Sequence, residues 1–247
     1  IRAAVKKGLL DYLKKEDFEL VCLQETKAQD HQLPKEALHE LGYHVYHHQA
    51  EKKGYSGVAI LSKIEPRGIK VGMDIERYDL EGRVLQLDFP EFTLINTYFP
   101  SGSSSEERHD FKMEFLERYR DYILNLRKNT APLIVAGDYN IVHTELDIHN
   151  PERKDNPSGY RPGERQWMTE WFEEGFLDSF RHLYPQERSY SWWSYRARSR
   201  ERNKGWRIDY ISADDQLQSL IQDARQINEA VHSDHCPVLL DIDWSKK

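Results

Sequence analysis

Two strand-length apolar runs, 84–89 and 92–98, are separated only by Pro90 and Glu91. A parallel crossover needs a dozen or more residues, so these two runs must pair as an antiparallel hairpin. Further apolar runs at 18–24, 57–62, 133–137, 206–212 and 237–242 alternate with amphipathic segments. Residues 34–41, 106–127, 162–174 and 214–221 carry the 3.6-residue spacing of helices, with Pro34 and Pro162 suited to a first turn. Residues 2–15 read as one more helix, with Val5, Leu9, Leu10 and Leu13 on its apolar face. The alternation predicts an α/β chain, and the hairpin within it predicts a mixed sheet. No linker rich in Pro, Ser or Gly and no internal period divides the sequence, so 1–247 reads as one domain. Residues 101–105 and 151–163 read as loops, the second long enough to suggest a functional role.

Composition narrows the classes. With 35 Lys+Arg against 42 Asp+Glu, a net charge of −7 and 38% hydrophobic residues, the chain has the profile of a globular domain rather than a disordered or fibrous one. No run approaches the roughly 18 apolar residues of a membrane span. The two cysteines, Cys22 and Cys236, exclude a disulfide framework and fit a reducing intracellular compartment. The chain opens on Ile1 rather than Met, so residues upstream are expected; no signal-peptide pattern begins it.

Several strands end in residues able to bind metal or move a proton: Leu23-Gln24-Glu25, Gly137-Asp138-Tyr139-Asn140 and Ile208-Asp209-Tyr210. Taken singly, Glu25 reads equally as a solvated carboxylate and Asp138-Tyr139-Asn140 as an Asx-turn. Ser233-Asp234-His235-Cys236-Pro237 sets a carboxylate and an imidazole at the mouth of the last strand, where a histidine could equally cap a loop. His47 and His48 read as exposed strand positions. The zinc and serine-hydrolase signatures HExxH, CxxC and GxSxG are absent. A hard-metal site built from carboxylates remains, and Mg²⁺ bound beside a substrate phosphate suits it. Within an acidic chain, residues 191–210 combine Trp192, Trp193, Tyr195 and Trp206 with Arg196, Arg198, Arg200, Arg202, Lys204 and Arg207. That pairing of aromatics and cations reads as a nucleic-acid surface, or alternatively as a solvated loop beside core tryptophans, with Trp193 in the core.

Read together and in order, 23–27 (LQETK), 54–59 (GYSGVA), 81–83 (EGR), 97–100 (TYFP), 137–140 (GDYN), 205–210 (GWRIDY) and 233–237 (SDHCP) resemble the exonuclease III/apurinic-apyrimidinic endonuclease family across essentially the whole chain. The resemblance implies a four-layer α/β sandwich, two mixed sheets packed face to face and flanked by helices. It implies Mg²⁺-dependent hydrolysis of DNA phosphodiesters, with Mn²⁺ as a substitute. The implied acts are incision of duplex DNA 5′ to an abasic site and removal of blocking groups or nucleotides from 3′ ends. A monomer in a bacterial cytoplasm, associated with the nucleoid when engaged on DNA, is also implied.

By the same resemblance, Glu25 is the metal ligand and Asp234 an auxiliary one. Asp138 orients and deprotonates the attacking water, and Asn140 bonds the scissile phosphate or positions that base. His235 contacts a phosphate oxygen with Asp209 behind its ring, and Tyr98 contacts the phosphate or assists the leaving oxygen. Trp206, Ile208 and Trp192 form a pocket for an extruded abasic sugar, which has less stacking to lose than an intact nucleotide. Lys27, Tyr55 and Arg83 grip duplex phosphates, and Arg196 extends the basic surface.

Two departures stand out. The family's first strand ends in an Asn-containing motif that helps hold the metal, and this sequence starts after it. In the long loop the chain reads Asn156-Pro157-Ser158-Gly159-Tyr160, where relatives commonly place Asn directly before the small residue and Gly; Pro157 removes an N–H donor and restricts Asn156. Two other functions fit the same residues: a phosphodiesterase of the wider superfamily acting on RNA or a phospholipid headgroup, and an inert DNA-binding relative.

Overall fold

The computed structural model describes residues 1–246, without the side chain of Ala197. They group into two compact units, one of residues 1–98 and 135–137, the other of 99–134 and 138 onward. Among the described residues no helix is long and apolar enough to cross a membrane.

The first unit begins with α1 (Arg2–Lys6) and α2 (Leu9–Glu16). One continuous helix over 2–15 was expected; Gly8 breaks it, adopting a left-handed φ of +89° that glycine alone takes without steric cost. Leu9 and Leu13 bury their side chains with Leu38, Tyr43 and Leu61. Three strands follow, β1 (Leu20–Leu23), β2 (His44–His48) and β3 (Val58–Ser62), with α3 (Lys35–Glu40) between the first two. The buried β3 lies between the others, antiparallel to both, with Leu23 opposite Ala59 and His48 opposite Val58. His48 is buried and both its ring nitrogens face backbone carbonyls, while the His47 side chain is 2% exposed, so neither is the exposed position expected.

The same unit holds β4 (Gly68–Val71), α4 (Glu76–Asp79), β5 (Val84–Asp88) and β6 (Thr93–Tyr98). The hairpin read from Pro90-Glu91 forms as expected, pairing Val84 with Thr97 and Asp88 with Thr93. Beside β6 lies β7 (Leu133–Asp138), whose residues 135–137 belong to this unit. A Cβ on Gly137 would sit 2.0 Å from the carbonyl oxygen of Thr97, so only glycine admits this approach one residue before Asp138.

The second unit is organised by α5 (Glu106–Arg127) and α6 (Pro162–Glu173). Ser105 caps α5 by accepting from the Arg108 amide, and Glu106 and Glu107 complement the positive end of its dipole. Aromatic rings fill the interior: Phe99 stacks on Tyr139 at 4.2 Å and Trp171 on Phe176 at 4.3 Å. Then come β8 (Phe176–Asp178), α7 (Ser179–Leu183), β9 (Asp209–Asp214), β10 (Ile221–Gln226) and β11 (Val238–Ile242), pairing β8 with β9 and β10 with β11, both antiparallel. The apolar run 206–212 becomes regular strand only from Asp209, because Trp206 and its neighbours form isolated bridges instead. The amphipathic segment 214–221 is a 3-10 helix, Asp215–Leu220, that leads into β10. The strands β2, β4, β8 and β10 escaped the apolar-run reading because each is short or carries polar residues.

Candidate active site

In the second unit, Asp138 ends β7 and Asn140 follows it in the left-handed region at φ +54°. Tyr139, between them, fixes their direction: its ring is buried and its hydroxyl meets that of Ser212 at 2.9 Å. The Asn140 amide nitrogen donates to Asp138 Oδ1 at 2.9 Å, the local Asx-turn anticipated from sequence. More than a turn is present. Asn140 Nδ2 donates to Asp138 Oδ2 at 3.2 Å and to the Phe99 carbonyl at 3.1 Å, which fixes the orientation of its amide group.

Asp209, at the start of β9, faces His235: the ring Nδ1 lies 2.9 and 3.1 Å from its two oxygens. Ser191 joins the segments that carry this pair, since its Oγ accepts from the Asp209 amide at 3.1 Å and its carbonyl from the Cys236 amide at 2.8 Å. Burial disfavours charge on the His235 ring, but the carboxylate of Asp209, with those of Asp138 and Asp234, outweighs it and raises the pKa to about 10. The ring is therefore an imidazolium at neutral pH and a donor toward an anion.

One ligand atom from each of Asp138, Asp209 and His235 lies within 4.8 Å of the others, a spacing that can hold a metal ion. Two carboxylates suit a hard divalent cation, whereas a protonated ring engaged by Asp209 is a poor ligand. Asp234 accepts from Trp192 Nε1 at 3.2 Å and from the Ser233 hydroxyl at 3.0 Å.

Trp192, Trp206 and Ile208 do come together. Both tryptophans are half-buried against a cluster of Val142, Ile148, Tyr160 and Ile208, and their rings meet edge-on at 5.8 Å. Arg153, which sequence reasoning did not single out, lies 5.4 Å over the Trp206 ring. The Arg-rich segment divides. Arg196 and Arg198 are exposed. Arg207 is fully buried on Asp147 and Asp178, apart from the cluster that holds Trp206 and Ile208. The Arg200 guanidinium donates to the carbonyls of Asn228, Ala230 and Ser233 and lies over Trp193, a core residue as expected. Arg207 and Arg200 are thus structural residues, correcting the reading that counted both among the cations of a nucleic-acid surface. Asn156 is exposed at φ +35°.

In the first unit, Glu25 and Lys27 follow β1 at φ +50° and +46°. Two left-handed non-glycine residues separated only by Thr26 cost energy, a pattern concentrated at functional sites. They are held by amide donation from Thr26 to the Gly57 carbonyl at 3.0 Å and from Lys27 to the Ser56 carbonyl at 2.8 Å. Glu25 accepts a hydrogen bond from Tyr98 Oη and lies 2.5 Å from Lys27 Nζ. Arg83 is 2% exposed, and its donors meet Glu81 at 2.6 Å, the Tyr98 carbonyl at 2.8 Å and Tyr55 Oη at 3.1 Å. Glu81 and Thr26, neither given a role from sequence, complete these networks; Thr26 Oγ1 sits 3.1 Å from His47 Nε2.

Residues 2–235 match the family model described as Endonuclease/Exonuclease/phosphatase family. The chain belongs to this family. Among curated proteins it is 45% identical over 244 residues to an exodeoxyribonuclease of Bacillus subtilis, covering 98% of this chain and 95% of that protein. It is 39% identical to the DNA repair nuclease APEX1 of Danio rerio, covering 97% and 78%. Among solved structures, an AP endonuclease from Archaeoglobus fulgidus superposes with a TM-score of 0.87 at 30% identity, over 96% of this chain and 93% of that one. A 3′ phosphatase from Neisseria bound to product DNA gives 0.90 at 26%, over 97% and 95%. The mixed α/β class, with several sheets and flanking helices, is the fold of these neighbours.

Proposed function

We propose that this protein is a metal-dependent DNA-repair phosphodiesterase that incises duplex DNA 5′ to abasic sites and processes 3′ ends. The observation that carries the reading is the Asp138, Asn140, Asp209 and His235 constellation in a chain of this family. A phosphodiester under attack by water gains negative charge on its equatorial and leaving oxygens. His235, protonated and backed by Asp209, donates to such an oxygen, while Asn140, whose Nδ2 is hydrogen-bonded to Asp138, positions that base. Asp138 accepts the proton of the attacking water, the P–O3′ bond breaks, and the departing 3′ oxygen takes up a proton. Tyr98 is the residue assigned to assist that oxygen.

Glu25 is the proposed metal ligand, with Asp234 auxiliary, and Mg²⁺ the proposed ion because the donors are hard oxygens. A bound divalent cation supplies Lewis-acid stabilisation of the phosphate. Trp192, Trp206 and Ile208 take the extruded abasic sugar, excluding an intact nucleotide by size. Lys27 and Arg196 contact phosphates. Arg83, expected to grip a phosphate, is instead buried among Glu81, Tyr55 and Tyr98 and acts by holding those two tyrosines in place. The enzyme acts as a monomer, as a single functional domain. Its likeness to an exodeoxyribonuclease of Bacillus subtilis supports a bacterial setting, and the location proposed there is the cytoplasm.

The test is cleavage of two labelled duplexes, one with an internal abasic analogue and one with a blocked 3′ end, each with Mg²⁺ and with chelator. Metal-dependent incision beside the lesion supports the endonuclease, and reaction at the blocked end alone narrows the activity to end processing. Loss of neither reaction on chelation refutes the metal-dependent reading.

A further inference from the structure

On α5 the buried stripe runs 112, 115, 116, 119 and 123, and on α6 it runs 164, 167, 168 and 171. Both stripes begin with a charged residue where the helical period reserves an apolar one. The Lys112 and Glu164 side chains are each 0% exposed, and Lys112 Nζ lies 2.6 Å from Glu164 Oε1. A pair joining two helices needs nothing more than that contact, yet both groups reach further. Lys112 Nζ also donates to the backbone carbonyl of Asn140 at 2.8 Å. Glu164 Oε2 accepts from the amides of Gly159 at 2.7 Å and Arg161 at 2.9 Å, and its Oε1 from the Ser158 hydroxyl at 3.3 Å.

The carbonyl that Lys112 holds belongs to a residue in the left-handed region, whose two flanking peptide planes have an easier alternative. On another side the same oxygen is confined by Gly159, where an added Cβ would approach it to 2.9 Å. Burial lowers the Lys112 pKa and Glu164 opposes the shift, but charged or neutral, the amine keeps an N–H for the carbonyl.

We propose that Lys112 is a positioning residue for Asn140, and that Glu164 ties this positioning to the loop 156–161. Replacing the amine releases the Asn140 carbonyl, lets the peptide rotate and turns Nδ2 away from Asp138. Glu164 anchors the loop's Ser158, Gly159 and Arg161 to the same amine, so the loop and the catalytic asparagine are set together. The inference rests on the catalytic role proposed for Asn140.

A cycle of variants tests it. Lys112→Met/Glu164→Gln removes the pair without leaving a buried charge, and is made in the parent and in an Asn140→Ala background. In the parent, kcat on the abasic duplex falls by about 10²-fold, the scale of a small misplacement of a reacting group, while KM stays within about twofold. In the Asn140→Ala background the same change costs nothing further, because the group through which it acts is gone. An equal fall in both backgrounds, or no fall in the parent, overturns the proposal. Asn140→Ala with parental kcat would instead remove the reading of the site, and the inference with it. Should the Met/Gln chain not fold, Lys112→Leu/Glu164→Gln, which likewise leaves no donor at 112, enters the same cycle.

Discussion

The buried Arg207 offers a quantitative test of how this chain holds the strand that presents Asp209. Its Nε lies 2.7 Å from Asp147 Oδ1, and Nη1 and Nη2 lie 3.0 and 2.7 Å from the oxygens of Asp178. Asp147 also accepts from Arg181 at 2.6 Å and from the Thr144 hydroxyl at 2.8 Å. Replacement by Met fills most of the volume but withdraws the shared cation. Removing one partner of a buried pair costs about 3 to 5 kcal/mol, and because Arg181 still meets Asp147, about 3 kcal/mol is expected. For a chain of this size that is a fall in Tm of about 6 to 12 °C.

The pH dependence has a definite sign. Burial opposes charge on Asp147, but Arg207 first and Arg181 next outweigh it and hold the carboxyl well below the usual carboxylate range. Its contribution is therefore present above the unfolded pKa of about 3.9 and fades as pH falls through the lower folded value. In Arg207→Met the main attraction is gone, so the folded pKa rises from its parental value, although Arg181 and Thr144 still hold it down. The variant is thus most handicapped near neutrality, and the gap to the parent narrows toward pH 4. Urea unfolding followed by tryptophan emission at pH 7 and pH 4 measures both values. A deficit under about 1 kcal/mol at pH 7, or one that widens on acidification, refutes the reasoning.

Four further outcomes follow from the geometry. Asp138→Asn and His235→Ala should each lower turnover by about 10²-fold or more with unchanged circular dichroism and duplex affinity, a scale typical of lost acid–base or charge-stabilising groups; near-parental turnover of either would remove it from the site. Arg196→Ala should reduce the slope of log affinity against log salt by about 1 without altering kcat. By contrast Arg200→Ala, which frees the 228–233 loop ahead of Asp234 and His235, should lower kcat and leave that slope alone, as titrations of binding against salt would report. Gly137→Ala should destabilise the fold by several kcal/mol, since a contact of 2.0 Å with the Thr97 carbonyl must open to about 3.4 Å by parting two buried strands; a Tm within about 2 °C of the parent would contradict this.

Local signals alone determined a good deal. The two-residue spacing at Pro90-Glu91 forced a hairpin, and the long periodic segment 106–127 became α5 with the bounds its pattern gave. The strand-end residues Glu25 and Asp138 were visible because an apolar run stopping at a carboxylate is a pattern in the chain itself, whereas Asp209, read as ending a strand, opens β9 instead. What the sequence left open depended on partners far along it. Whether Arg207 or Arg196 faced solvent was invisible in a run of cations, since only the buried Asp147 and Asp178 decide it. Gly8 looked compatible with one helix until the fold required a left-handed turn there. Lys112 and Glu164 each broke a helical stripe, but their contact is made across 52 residues, and the meeting with the Asn140 carbonyl across 28. Residue types and periods are written locally, so the chain by itself determined its classes of element and its chemically able groups. Charge pairing and backbone strain need neighbours brought together by folding, so only the tertiary structure decided which of those groups hold the site and which hold the protein.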